Sequence, residues 1–241
     1  MSKGHPKHQT SLAGQPVEYE IRRSPDAAEP RIDVDIRGVR VTLPEDSGED
    51  PENLLGKNAA WVLEKKSKYD RYREQAPERS FESGETLPYL GKEHEIVVKA
   101  GVRHEVVDGR IQLRQSAVSQ SSLKQVLENF YRNRAREFLS DRVDHYANKI
   151  GVEYKQVELR NQRTLWGSCS TTGTLSLNWR LVMAPPDIVD YVVIHELAHL
   201  IEAGHNREFW RIVSEYDPDY KQHADWLEAN STKLIFSEND L

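Results

Sequence analysis

A single cysteine, Cys169, stands in a chain of 241 residues, so no internal disulfide can form and the fold does not depend on an oxidising compartment. No stretch approaches eighteen consecutive apolar residues, which removes any candidate transmembrane helix. The first residues, MSKGHPKHQTSLAG, carry charge but no apolar core behind it. They read as a loose tail over residues 1–15 rather than as a secretory signal, and a cytoplasmic address is the expectation. An excess of positive charge is also missing. With a net charge of −6, nothing global draws the chain to nucleic acid, so DNA contact is possible only through a local basic patch. What is present, 30% charged and 37% hydrophobic residues, is the balance of a folded globular chain.

Apolar residues alternate with polar ones at Val17, Tyr19 and Ile21, at Ile32, Val34 and Ile36, and at Val39, Val41 and Leu43. That period of two predicts half-buried strands, with a tight turn at Gly38. Leu54, Leu55, Ala59, Trp61 and Val62 then change to helical spacing, with the helix ending near Gln75. A second β section follows from about Phe81, with Asp108-Gly109 as a hairpin turn. The longest helical signal runs from Leu123 to Ile150, with a serine cap before it and Gly151 at its C-terminal end. Its arginines are interleaved with acids, which predicts a solvated mixed-charge face. VEYKQVELR and GTLSLNWRLV read as strands on either side of the loop NQRTLWGSCSTT. The expected organisation is a tail over 1–15, a β-rich region with one helix over 16–118 and an α+β domain over 119–241.

The segment VVIHELAHLIEAGHNREFW, Val192 to Trp210, places histidines and a glutamate in a greasy helix. At about 100° per residue, Val193, Ile194, Leu197, Leu200 and Ile201 gather on one arc, with His195 and His199 opposite. Core histidines would sit within the apolar arc. Two histidines one turn apart can instead reach one metal ion, and Glu196, too displaced to be a natural third ligand, can take a proton from water beside it. Glu202 lies about 10.5 Å along the axis from His195 at 1.5 Å per residue, too far for one coordination sphere. Gly204 can end the helix in the left-handed conformation and return the chain, which makes His205 the third expected ligand. Asn206 is the expected cap of the next helix. Glu208 and His223 read as exposed, and His5, His8, His94, His104 and His145 as surface residues without partners at ligand spacing. Cys169 reads as a buried small apolar group, and Trp166 and Trp179 as packing around the core.

WGSCS, LSLNWRLVMAPPDIVDYVVIHELAH and GHNREFW together resemble the YgjP-like family of predicted zinc metallopeptidases, relatives of the SprT-like zincins. The likeness is strong over about Gln120 to Leu241 and weaker over VEYEIRRS and the hairpin after it. It implies a zincin-like core: a long backing helix, a small sheet, an active-site helix and a helix carrying the third ligand. In the family pattern the histidine before x-x-x-F-W is that ligand, which corresponds to His205. Family members commonly have a basic residue just before W-G-S-C; this chain has Leu165 there and Arg163 two positions earlier. The expected activity is hydrolysis of peptide bonds in a peptide or protein, with one Zn²⁺ held by His195, His199 and His205 and with Glu196 as general base. Thr174, Leu175, Ser176, Leu177 and Asn178 are the expected sheet edge that aligns the substrate. Two other readings compete: a DNA-dependent SprT-like protease, and a binding module in which zinc is structural. Three ligands and an open position favour catalysis, because structural zinc is usually closed by four protein ligands.

Overall fold

Alternation at Val17, Tyr19, Val39, Val41 and Leu43 does produce strands that bury these five residues on one face, with Thr42 buried on the other. The computed structural model describes residues 6–35, 38–162 and 165–237. By its internal contacts the chain divides into two units, Met1–Ala76 and Pro77–Asp240. No helix among the described residues is long and apolar enough to cross a membrane.

The first unit holds β1 (Lys7–Leu12), β2 (Gln15–Ser24), β3 (Arg31–Asp35) and β4 (Gly38–Pro44) in the order β1-β2-β4-β3. Lys7–Leu12 belongs to the segment expected as a tail, yet it pairs antiparallel with β2 from Lys7↔Glu20 to Leu12↔Gln15. Ala13 and Gly14 both have positive φ, which is the geometry of a two-residue hairpin turn and holds this short polar strand in register. Leu12, Val17, Tyr19, Val39, Val41 and Leu43 form one small core with Leu55 of α1 (Pro51–Lys57) and Val62 of α2 (Ala59–Gln75). The Asp50 carboxylate caps α1 by accepting from the Glu52 amide at 3.1 Å.

In the second unit, β5 (Thr86–Tyr89), β6 (Lys92–Lys99), β7 (Glu105–Val107) and β8 (Arg110–Arg114) form a sheet in the order β5-β6-β8-β7. The division at Ala76–Pro77 lies well before the boundary expected at 118 and 119, because this sheet packs into the second core. Leu87, Ile96, Ile111 and Leu113 are fully buried there. The turn between β5 and β6 also docks on the segment before the histidine helix. The amides of Leu90 and Gly91 donate to the carbonyls of Val182 and Met183 at 2.8 and 3.2 Å. A β-carbon on Gly91 would stand 2.8 Å from Pro185 Cα, so the approach needs a glycine.

After a short α3 (Gln115–Gln120) comes α4 (Leu123–Ile150), capped by Ser122 Oγ and ended by Gly151 at φ 82°. Its buried stripe, including Leu127, Tyr131, Leu139 and Val143, packs on the helix that carries the histidines. Each such side chain contributes about 1.5–3 kcal/mol of burial. The last sheet has β9 (Gln156–Arg160), β10 (Gly167–Cys169) and β11 (Thr174–Asn178) in the order β10-β11-β9. The strand expected to run on through WRLV instead becomes a 3₁₀ helix, Trp179–Met183. Asn178 Oδ1 accepts from the Arg180 amide at 3.1 Å and starts that turn. Three α-helices follow, α5 (Pro186–Ala198), α6 (Arg207–Tyr216) and α7 (Tyr220–Asn230), and then a 3₁₀ turn, Ser231–Leu234.

Candidate active site

Helix α5 opens with Pro186 in its first turn and Asp187 near the positive end of its dipole. Ile188, Val189, Val192, Val193, Ile194 and Leu197 bury its back. Arg142 of α4 grips the same helix through a two-pronged ion pair with Asp190, at 2.6 and 2.7 Å, and the Tyr146 hydroxyl donates to Asp190 at 3.1 Å. The helix is therefore fixed by apolar packing and by a partly buried charge pair.

The regular helix ends earlier than expected. Leu200 and Ile201 donate to carbonyls three residues back, at 3.0 Å each, so the last turn tightens from His199 onward. Gly204 does not adopt positive φ. The early end also rotates Ile201 off the buried arc, leaving it 52% exposed. The return to His205 is held by other bonds. His199 Nδ1 bonds the Glu202 carbonyl at 3.2 Å, and the Gly204 amide donates to the Glu202 carboxylate at 3.3 Å. Asn206 caps α6 by accepting from Glu208 and Phe209 amides.

These turns bring His195, His199 and His205 together, with one ring nitrogen from each within 4.8 Å of the others. The Nε2 atoms of His195 and His205 are 3.1 Å apart. Two imidazoles on a tetrahedral ion, each at 2.0–2.1 Å, would have their nitrogens roughly 3.3 Å apart. The cluster therefore fits a metal with little adjustment. The His199 Nδ1–H donates to the Glu202 carbonyl, which leaves its Nε2 lone pair free for an ion. Burial first, and then the neighbouring imidazoles, push the His195 pKa down to about 4, so its ring is neutral and able to coordinate at pH 7.

Phe209 is fully buried beneath the three rings, with centroids 4.9, 4.6 and 4.7 Å from those of His195, His199 and His205. Trp210 Nε1 donates to the His205 carbonyl at 3.1 Å, and its ring stacks on Tyr220 at 5.2 Å. Both aromatic residues lie in the sequence GHNREFW, yet the sequence alone does not show that they floor and brace the cluster.

Glu196 is only 6% exposed, and burial pushes its pKa up to about 7. A β-carbon on Gly167 would meet its Oε1 at 2.5 Å and its Cγ at 2.6 Å. Glycine at that position thus lets the carboxylate lie against the backbone of β10. Sequence reasoning overlooked Gly167, whose signal is its place in W-G-S-C. Cys169, two residues on, is only partly buried, and its thiol pKa is raised by burial and then by the Glu196 charge.

Thr174 to Asn178, expected as a substrate-aligning edge, form the central strand of their sheet. Both sides are occupied, by Gly167–Cys169 antiparallel and by Gln156–Arg160 parallel. The two edges of this sheet are β9 and β10, and β10 is the one that carries Gly167 against Glu196. Bonds from Asn178 to the Trp166 carbonyl and from Ser170 to the Thr174 carbonyl set the phase of the pairing. By that phase Ser168 bonds inward, while the N–H and C=O groups of Gly167 and Cys169 point outward.

Glu208 is exposed as expected, but His223 is not. Its side chain is 18% exposed, with Nδ1 2.9 Å from Asp217. His94, expected at the surface, is buried and bonds the Lys92 carbonyl at 2.8 Å. His145 is exposed and takes no part in the cluster. Arg163 and His5 lie outside the described residues.

With this geometry in hand, comparison with known proteins gives a consistent result. The family described as YgjP-like, metallopeptidase domain, matches residues 28–230. The metallopeptidase zymogen abylysin of Pyrococcus abyssi is 26% identical, over 38% of this chain and 92% of that one, with a TM-score of 0.36. Jannalysin, a metallopeptidase zymogen of Methanocaldococcus jannaschii, is 25% identical over 40% of this chain and 97% of that one, with a TM-score of 0.35. A search of curated proteins returns no match.

Proposed function

Since this chain belongs to the YgjP-like metallopeptidase family and is a metal-dependent peptidase, we propose that it hydrolyses peptide bonds with one zinc ion held by His195, His199 and His205. The observation that carries the proposal is the convergence of three ring nitrogens within 4.8 Å beside a glutamate that is 6% exposed. When bound, zinc supplies a Lewis acid that polarises the scissile carbonyl and acidifies water toward a pKa near 7.

The chain's own groups do the rest. Glu196 takes a proton from the attacking water on a carboxylate oxygen and returns it to the nitrogen of the leaving amine. In the metal-free protein burial alone raises its pKa to about 7. Phe209 and Trp210 hold the imidazoles, and Gly167 leaves room for the carboxylate. An extended peptide pairs with the outward backbone groups of Gly167 and Cys169, so alignment passes from β11 to its neighbour β10. With α4 behind, the β9–β11 sheet beside it and His205 leading into α6, this arrangement supports a zincin-like core within residues 119–241, buttressed by β5 to β8.

The test is cleavage of fluorescein-labelled casein by protein stripped with a chelator and then reloaded. Activity that disappears on stripping and returns with one equivalent of zinc is the expected result. Activity that survives complete metal removal would overturn it.

A further inference from the structure

Between β9 and β10 the chain passes through a loop whose two ends are tied to one short stretch, Asn178 to Arg180. Arg180 is 3% exposed and reaches back from the 3₁₀ helix. Its Nη1 donates to Asn161 Oδ1 at 2.6 Å and its Nη2 to the Gln162 carbonyl at 2.7 Å. Trp179 Nε1 donates to the same Asn161 oxygen at 2.9 Å. These bonds fix the start of the loop. Asn178, 2% exposed, fixes both ends, since its Nδ2 donates to the Gln162 carbonyl at 2.7 Å and to the Leu165 carbonyl at 3.2 Å. Its backbone amide holds the Trp166 carbonyl at 2.9 Å, one residue before β10 begins.

A charge buried this deeply is costly unless it is hydrogen-bonded, and both terminal nitrogens of this guanidinium donate to the start of the loop. The three-residue β10 has little pairing of its own to hold it, yet Gly167 must stay within van der Waals reach of Glu196. We propose that Arg180, through Asn161, Gln162 and Asn178, is a positioning residue that sets the place of edge strand β10 and thereby controls how tightly the enzyme binds an extended peptide. This rests on the peptidase reading above and deepens it. No bond changes hands in the proposal, because the clamp acts only through the backbone groups of Gly167 and Cys169.

Asn161 is itself exposed, so replacing it opens no cavity, and the perturbation is confined to the Trp179 and Arg180 donors that lose their acceptor. Asn161→Leu removes the shared acceptor, and Asn161→Asp keeps it. With a quenched-fluorescent peptide chosen from a library that the wild type cleaves, Asn161→Leu should raise KM about ten-fold with kcat changed less than about three-fold. Zinc content should stay the same, and Asn161→Asp should behave as wild type. Hydrogen exchange should quicken at the amides that join β10 to β11, those of Ser168 and Asn178, and not along α5. Arg180→Lys should act in the same direction as Asn161→Leu. Unchanged KM in both Asn161→Leu and Arg180→Lys would overturn the proposal, as would exchange that quickens equally over α5. A wild type that cleaves no peptide overturns the peptidase reading and the substrate half of this proposal, while the exchange data still decide whether the clamp exists.

Discussion

Gly167 and Glu196 touch so closely that a methyl group on the glycine would lie 2.5 Å from the carboxylate oxygen. The two residues come from different elements, β10 and α5. Their contact makes the strand and the proposed base one unit.

Gly167→Ala should therefore displace the carboxylate without disturbing the histidines. We expect kcat/KM to fall by about 10- to 100-fold, on the scale of a misplaced catalytic group, with zinc content unchanged. Steady-state kinetics with metal analysis checks this. Wild-type kinetics in Gly167→Ala would mean that the carboxylate has room to spare.

Glu196→Gln keeps the shape of the side chain but cannot accept the proton. The three imidazoles do not depend on it for their arrangement, so bound zinc should equal that of wild type. The loss in kcat should be about 10²- to 10⁴-fold, the usual contribution of a general base. A variant that loses zinc along with activity would place Glu196 among the ligands instead.

His205 is the most exposed of the three histidines, and its backbone is held by Trp210. His205→Ala leaves a two-histidine site, for which the expected result is loss of most bound zinc at micromolar metal, read by a chelating dye. Trp210→Phe removes the bond to the His205 carbonyl and trims the ring that lies against His205 and stacks on Tyr220. It should weaken zinc binding by a smaller amount, about ten-fold, as supporting groups around a metal do.

Much of this arrangement could be read from spacing. His195 and His199 at one helical turn, and a return at His205, are local facts within eleven residues. The contact of Gly167 with Glu196 joins residues far apart in sequence, and periodicity carries no information about it. The order β10-β11-β9 is invisible for the same reason: alternation finds strands but not their neighbours. Gly204 misled because a glycine after a helix is a common left-handed cap, whereas here the Glu202 carbonyl and carboxylate make the turn. His223 was misread because Asp217, the group that binds it, lies on the far side of a helix boundary.

The metal-free protein should show the burial of Glu196 in its stability. Folding moves that pKa from 4.5 up to about 7, so between those values the native state keeps a proton that the unfolded chain has released. The contribution is fully present below pH 4.5 and is lost as pH rises through 7. His195 runs the other way. Its pKa falls from 6.5 to about 4, so its contribution is complete above pH 6.5 and is lost as pH falls through 4. Between pH 4.5 and 6.5 the two slopes oppose each other, each about 1 kcal/mol per pH unit. Glu196→Gln removes one of them. In the presence of chelator, the stability of Glu196→Gln relative to wild type should therefore climb by about 3 kcal/mol from pH 4.5 to pH 8. Urea unfolding at each pH measures it, and subtracting wild type cancels every group the two proteins share. A flat difference curve would show that the carboxylate ionises freely in the metal-free folded state, and that its burial does not raise its pKa.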